Sequence, residues 1–204
     1  MKSRISTLGA LTLRQHLNRF AIATIVVGVG LLALALPAEA QIVYTPTNIT
    51  IGGPYGSYNL DVNNDGVTDF TIDVEGCGVC LNPFSIVWET PASGNGVVDS
   101  KNLKGPARLG KGFAIGPSQT FYGGNGGMAS IRACGPYGDK TCRSGNWASK
   151  SGSAKGYLGL SFQVSGETFY GWADLTVIDG AVVTLTGYAY ESTPGMPIKA
   201  GQTE

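Results

Sequence analysis

Asp61, Asn63, Asp65 and Asp69 put four oxygen-bearing side chains at relative positions 1, 3, 5 and 9 of one short segment, with Gly66 at position 6. That spacing suits a hard, oxygen-liganded cation. The glycine permits the sharp turn that gathers the side chains around one centre, and the carbonyl of Val67 at position 7 supplies another ligand. The match to a helix–loop–helix calcium loop ends there. Position 12 is Ile72, where a bidentate Glu is expected, and Asp73 comes one residue late. Phe70 to Val74 reads as a strand, so the expectation is a structural calcium loop between strands, with a weak dissociation constant of roughly 10⁻⁴ to 10⁻³ M. The competing reading is a polar Asn-Asp-Gly hairpin that holds no metal.

Four cysteines, Cys77, Cys80, Cys134 and Cys142, raise a second possibility. Cys77-Gly-Val-Cys80 has the spacing of a redox pair, but such a pair needs a helix N-terminus to lower its thiol pKa. Here a strand precedes it and Leu81-Asn82-Pro83 follows. An even number of cysteines in an exported chain reads as structural disulfides, and the spacing favours Cys77–Cys80 and Cys134–Cys142 among three connectivities.

Several catalytic classes are excluded. The only histidine, His16, falls in the first forty residues. A chain lacking them has no Ser-His-Asp or Cys-His arrangement and no histidine zinc site. Gly105 to Gly112 approaches a phosphate-binding loop but ends in Gly where Ser or Thr should hold magnesium. What survives is carboxylate chemistry drawn from Glu75, Glu89, Glu167, Asp174 and Glu191. No nucleophile and base can be paired among them, so the expectation is a non-catalytic protein.

The first forty residues explain why an oxidising compartment is expected. Lys2, Arg4, Arg14 and Arg19 form a basic start, Phe20 to Leu36 an apolar run, and Ala38-Glu39-Ala40 a small-x-small cleavage signal. Residues 1–40 read as a signal peptide, with the mature chain, 41–204, beginning at about Gln41 and secreted or periplasmic. With that segment removed, ten basic and thirteen acidic side chains remain, a net charge of about −3. Nucleic acid, which needs a basic stripe, is not an expected partner, and no membrane association is expected after cleavage.

The elements that must position these residues are strands. Of the 31 glycines, 28 lie beyond residue 40, and no 3.6-residue apolar period persists there. Alternation recurs instead, at Thr47–Ile51, Phe70–Val74 and Ser85–Trp88, with weaker candidates at Lys111–Ile115, Gln119–Tyr122 and Met128–Arg132. The fold class is all-β: one antiparallel β-sandwich or partly open barrel with Gly-rich loops. The tetrapeptide Gly-Pro-Tyr-Gly occurs at 53–56 and 135–138 and marks two similar turns.

Tyr157 to Glu191 predicts a three-stranded meander. Ser165-Gly166 makes a two-residue hairpin loop that sets Phe162 opposite Phe169 and Leu158 opposite Ala173. A three-residue loop, Ile178-Asp179-Gly180, pairs Leu175 with Val183, Ala173 with Leu185 and Phe169 with Ala189. The other face then carries Tyr170 opposite Tyr188, Trp172 opposite Thr186, and Tyr190, with Gln163 and Asp174 as polar partners. Flat rings beside amide and carboxylate groups suit sugar rings, making a polysaccharide the candidate ligand if the face is open. The alternative is that these rings pack beneath the middle loops or a second sheet as core.

Tyr157-Leu-Gly-Leu-Ser-Phe162, Tyr170-Gly-Trp-Ala173, Gly187-Tyr-Ala-Tyr-Glu191 and Pro194 to Gly201 together resemble a module of exported bacterial β-rich proteins, of the type often carrying PEP-CTERM sorting tails. The resemblance covers about 45 residues. It implies an extracellular protein linked to surface or exopolysaccharide material, and no particular activity. No Pro-Glu-Pro motif precedes Glu204, so a freely released product is expected rather than one sorted through its C-terminus.

Overall fold

The structure, a computed structural model, describes residues 41–81, 83–101 and 105–204. The expected signal peptide lies outside the described residues. Among the described residues there are thirteen strands and no helix: β1 (Ile42–Gly52), β2 (Tyr55–Leu60), β3 (Phe70–Cys77), β4 (Phe84–Pro91), β5 (Gly96–Val98), β6 (Ala114–Ile115), β7 (Phe121–Tyr122), β8 (Gly126–Cys134), β9 (Lys140–Ser144), β10 (Ser153–Val164), β11 (Glu167–Ile178), β12 (Val182–Glu191) and β13 (Ile198–Lys199). No helix among these residues is long and apolar enough to cross a membrane. The expected all-β, antiparallel class is what the chain adopts. The three weak strand candidates of the middle region correspond to β6, β7 and β8.

A six-stranded sheet of order β1-β12-β11-β10-β5-β7 faces a five-stranded sheet of order β2-β3-β4-β8-β9. The alternating apolar residues explain the pairing of layers. Leu158, Leu160 and Phe162 of β10 and Ala173, Leu175 and Val177 of β11 meet Phe70, Ile72 and Val74 of β3 and Val87 of β4 in one buried cluster. Each such side chain, fully buried, contributes about 1.5–3 kcal/mol, which is what makes the strand pattern decisive. Both disulfides form with the favoured connectivity, Cys77–Cys80 and Cys134–Cys142, at Cα separations of 5.6 and 5.9 Å.

The β10–β11 hairpin has the expected register, with Phe162 opposite Phe169, Leu158 opposite Ala173 and Gly159 opposite Trp172. Ser165 and Gly166 both take positive φ, 53° and 84°, so the loop twists with its strands. The β11–β12 register differs from expectation. Leu175 pairs with Leu185, Val177 with Val183, and the three-residue loop is Asp179 to Ala181. A bulge then intervenes: Asp174 pairs with Gly187 while Leu175 pairs with Leu185, leaving Thr186 as the extra residue. Strict alternation cannot survive an inserted residue, so β12 changes faces at this point. Trp172 therefore lies opposite Ala189 and not Thr186, and Ala173 lies opposite Tyr188.

The outer face of the six-stranded sheet is covered as well. The middle loops and the C-terminal residues lay Val98, Leu109, Ile115, Ile198 and Ala200 against Tyr170, Trp172 and Ala189 in a second buried cluster. Gly159 shows how closely this layer approaches: a Cβ there would come within 2.6 Å of Val98 and 2.8 Å of Leu109. Long loops that bury this much apolar surface act as a third layer.

Candidate functional site

The aromatic face expected to bind a ligand is not an open face. Tyr170 stacks on Phe121 with centroids 5.6 Å apart, and Trp172 meets Tyr157 edge-on at 5.3 Å and Tyr44 at 5.8 Å. The Trp172 indole N–H donates to the Gln202 carbonyl at 3.1 Å, and the ring is only 2% exposed. Tyr188 and Tyr190 are not on this face at all. The Thr186 bulge turns them toward the core between the sheets, where Tyr190 meets Phe162 edge-on at 5.7 Å. Gln163 and Asp174 are far apart along the hairpin. Gln163 donates to the Thr168 hydroxyl at 2.8 Å, whereas Asp174 pairs with Lys155 at 3.6 Å. The six residues do not converge, which corrects the single-platform expectation in favour of core and loop packing.

The Asp/Asn loop is folded tightly on itself. Asp61 accepts from the backbone N–H groups of Asp65 at 3.2 Å and Gly66 at 2.7 Å, closing the turn through Asn64 and Gly66, both at positive φ. Asp65 accepts from the Asn63 amide at 2.9 Å and the Val67 N–H at 2.8 Å. These two bonds, the Asn63 one first, hold the Asp65 carboxyl below its ordinary range. Asp69 is turned away from them. Its carboxylate, 5% exposed, accepts from the Val62 N–H at 2.8 Å and the Asn95 amide at 3.3 Å. Burial pushes its pKa up, against the pull of those two bonds. Asp61, Asn63 and Asp65 thus share one side of the loop with the carbonyl-bearing Val67, while Asp69 anchors its base. No cluster of three or more His, Cys, Asp or Glu side chains suited to a metal occurs among the described residues. A cation here would draw on Asp61, Asp65, the Asn63 amide oxygen and backbone carbonyls.

The feature that sequence reasoning missed is at the other end of the sandwich. A cleft of about 880 Å³ opens between the β1–β2 turn, the two cystine-closed loops and the β11–β12 turn. Pro54, Val74, Phe84, Ile131, Ala133 and Val182 supply its apolar surface, and Glu75, Arg132, Asp139, Lys140 and Asp179 its charges. Cys77 lines it, and Ala133 and Thr141 set the second disulfide beside it. Both Gly-Pro-Tyr-Gly turns are here. Tyr55, 82% exposed, lines the cleft, and Tyr137, 93% exposed, immediately precedes the lining residue Gly138. With Val79 at 99% and Leu81 at 103%, they are the four most exposed large apolar side chains described. The repeated tetrapeptide was the signal in the sequence. Its two copies are placed differently: Tyr55 opens β2 directly after the Gly53-Pro54 turn, whereas Tyr137 lies within the β8–β9 loop, with Gly53, Gly135 and Gly138 at positive φ.

Of the five candidate carboxylates, only Glu75 lines this cleft. Glu191 accepts from the Gln41 and Thr193 N–H groups at 3.1 and 3.0 Å, tying down the start of β1. Glu167 opens β11 at the far end. Glu89 is fully buried on β4 with neither carboxylate oxygen hydrogen-bonded, and burial pushes its pKa up to about 8. A scan against protein-family models, a search of curated proteins and a search of solved structures each returned no match.

Proposed function

We propose that this is an exported, non-catalytic binding module that engages surface or extracellular polysaccharide through the cystine-stapled end of its sandwich. The observation that carries the reading is the pair of Gly-Pro-Tyr-Gly turns, which raise Tyr55 and Tyr137 beside one cleft as the two most exposed aromatic rings described. An isolated exposed ring needs no explanation; two rings held by the same turn sequence beside one concave surface are suited to a ligand with flat apolar faces. The neighbouring charges are of both signs, Arg132 and Lys140 against Glu75, Asp139 and Asp179. They offer donors and acceptors together, as sugar hydroxyls require. The two disulfides support an oxidising, extracytoplasmic setting.

The test is retention of the purified protein on a panel of soluble and insoluble polysaccharides, beside Tyr55→Ala, Tyr137→Ala and the double variant. Retention should fall about 10-fold or more for each single variant, since an aromatic contact contributes on the order of 1–2 kcal/mol. Full retention of the folded double variant would defeat the proposal. Trp172→Ala, by contrast, should lower stability through the buried ring and leave any residual folded protein competent to bind.

The Asp61–Asp69 loop supports a structural calcium site within the same reading. Millimolar calcium should raise the melting temperature by a few degrees, equivalent to about 1 kcal/mol at several times a millimolar Kd. Asp61→Ala should remove the shift. Magnesium at equal concentration controls for ionic strength.

An adhesive role without a small ligand is a second reading, favoured by one specific observation. Val79 within the Cys77–Cys80 loop and Leu81 just after it are fully exposed aliphatic side chains, which suit an apolar partner better than a sugar.

A further inference from the structure

Resting on that reading of the stapled end, we infer that its natural ligand is an amphiphile with a polyhydroxylated head and a hydrocarbon body, bound one molecule per cleft. The walls of the cleft divide by chemistry. Its apolar surface comes from four separate segments: Pro54 on the β1–β2 turn, Val74 and Phe84 on neighbouring strands, Ile131 and Ala133 on β8, and Val182 at the start of β12. A polysaccharide chain alone would leave that surface wet. The volume of about 880 Å³ is within the range of small-molecule sites, about 300–1,000 Å³, and larger than one or two sugar rings require.

The polar side is equally specific. Among the described residues the one ion pair is Lys155–Asp174, so Glu75, Arg132, Asp139 and Lys140 are not engaged in salt bridges with one another. Arg132, Asp139, Lys140 and Asp179 are exposed, and with Glu75 the lining carries three acids against two bases. A long-chain carboxylate or phosphate would meet that acidic excess, whereas a neutral head with many hydroxyls can use all five. Tyr55 lines the cleft, exposed Tyr137 adjoins the lining residue Gly138, and Val79 lines the cleft from the cystine loop as an aliphatic contact for the tail. The disulfides fix both loops before binding, so less ordering opposes association.

The measurement is isothermal titration of the full purified protein with hexyl, octyl and decyl glucosides, each kept below its micelle-forming concentration. Soluble oligosaccharide and the matching free alcohols are titrated in parallel. Affinity should rise on the order of 10-fold for each two added methylenes, because each buried CH₂ contributes about 0.8 kcal/mol. Binding should be one to one, and tighter than to the oligosaccharide or the alcohol alone. Val79→Asp, at a fully exposed position where folding is not at stake, should lower decyl glucoside affinity at least 10-fold and leave oligosaccharide binding unchanged.

Affinity that does not change with chain length, or a Val79→Asp protein that binds decyl glucoside as tightly as the parent, would overturn the inference. If oligosaccharide still binds in that case, the polysaccharide reading stands alone. If no sugar-bearing ligand binds and the free alcohols do, both fall, and the cleft is an apolar site.

Discussion

At one end of the sandwich, the nine residues between β2 and β3 are folded onto Asp61 and anchored from beneath by Asp69. At the other end, the loops after β3 and β8 are closed by cystines and surround a cleft. The first end is held by hydrogen bonds that backbone N–H groups donate to carboxylates, and every one of them lies within the loop. The second is held covalently, and its apolar side chains face outward. The difference follows from what each end has to cover. Asp69 and Asn95 bridge inward: Asn95 donates to Asp69 and accepts from the Gln163 N–H at 2.9 Å, fastening the five-stranded sheet to β10. That end closes the core. At the stapled end the Ser85 hydroxyl donates to the Asp179 carbonyl at 2.9 Å, and the loops after β3 and β8 are each closed by a cystine.

From this contrast, one end of the molecule should answer to pH and the other to reductant. The largest expected effect belongs to Glu89, on the half of β4 nearer the Asp/Asn loop. Its carboxyl has an ordinary pKa of 4.5 when unfolded and about 8 when buried. Between those values the unfolded chain has released a proton that the folded one retains, so stability falls as pH rises through that window and levels off above it. The loss should total roughly 4–5 kcal/mol, and Glu89→Gln should abolish it. Urea unfolding at pH 5, 7 and 9 measures both. A flat profile for the parent protein would mean that Glu89 has found a partner or water.

Removing Asp69 comes next. In Asp69→Ala, the buried Val62 N–H loses its acceptor and the Asn95 amide keeps only the Asp69 backbone carbonyl, and stability should drop about 2–4 kcal/mol. Hydrogen exchange should accelerate at residues 61–69 and around Gln163, with the stapled end unaffected. The smallest effect should come from replacing Cys134 and Cys142 together by Ser, about 2 kcal/mol for so short a loop. Exchange should then accelerate in β8 and β9 beside the cleft while the Asp/Asn loop keeps its protection. Should either variant loosen both ends equally, the contrast between them is lost.

The two ends were not equally legible from sequence. The Asp/Asn loop is local, so a motif of nine residues announced its turn, although not that Asp69 would face inward. That outcome depends on Asn95, twenty-six residues away. The cleft is assembled from four segments spread between Gly53 and Val182, and no window of sequence contains it. Only the repeated Gly-Pro-Tyr-Gly hinted that two of them share a purpose. Within the fold, the β10–β11 register was readable because a two-residue loop with Gly166 fixes it. The β11–β12 register was not, because nothing in Leu185-Thr-Gly-Tyr188 distinguishes a bulged strand from a regular one until Ala189 is seen beneath Trp172. The outer layer of middle loops was hidden for a related reason: its apolar residues are scattered singly among glycines and carry no period.

The bulge at Thr186 has a consequence for how this chain can change over time. One unmatched residue divides β12 into two half-strands of opposite phase, so that Val183 and Leu185 before it and Tyr188 and Tyr190 after it all look into the same interior. Substituting Thr186 should matter little. Deleting it would be another matter, because the loss of one modest side chain would carry two tyrosines out of the core and bring Ala189 in. The position is tolerant of spelling and intolerant of counting, and descendants of this sequence are expected to vary the letter there while preserving the length.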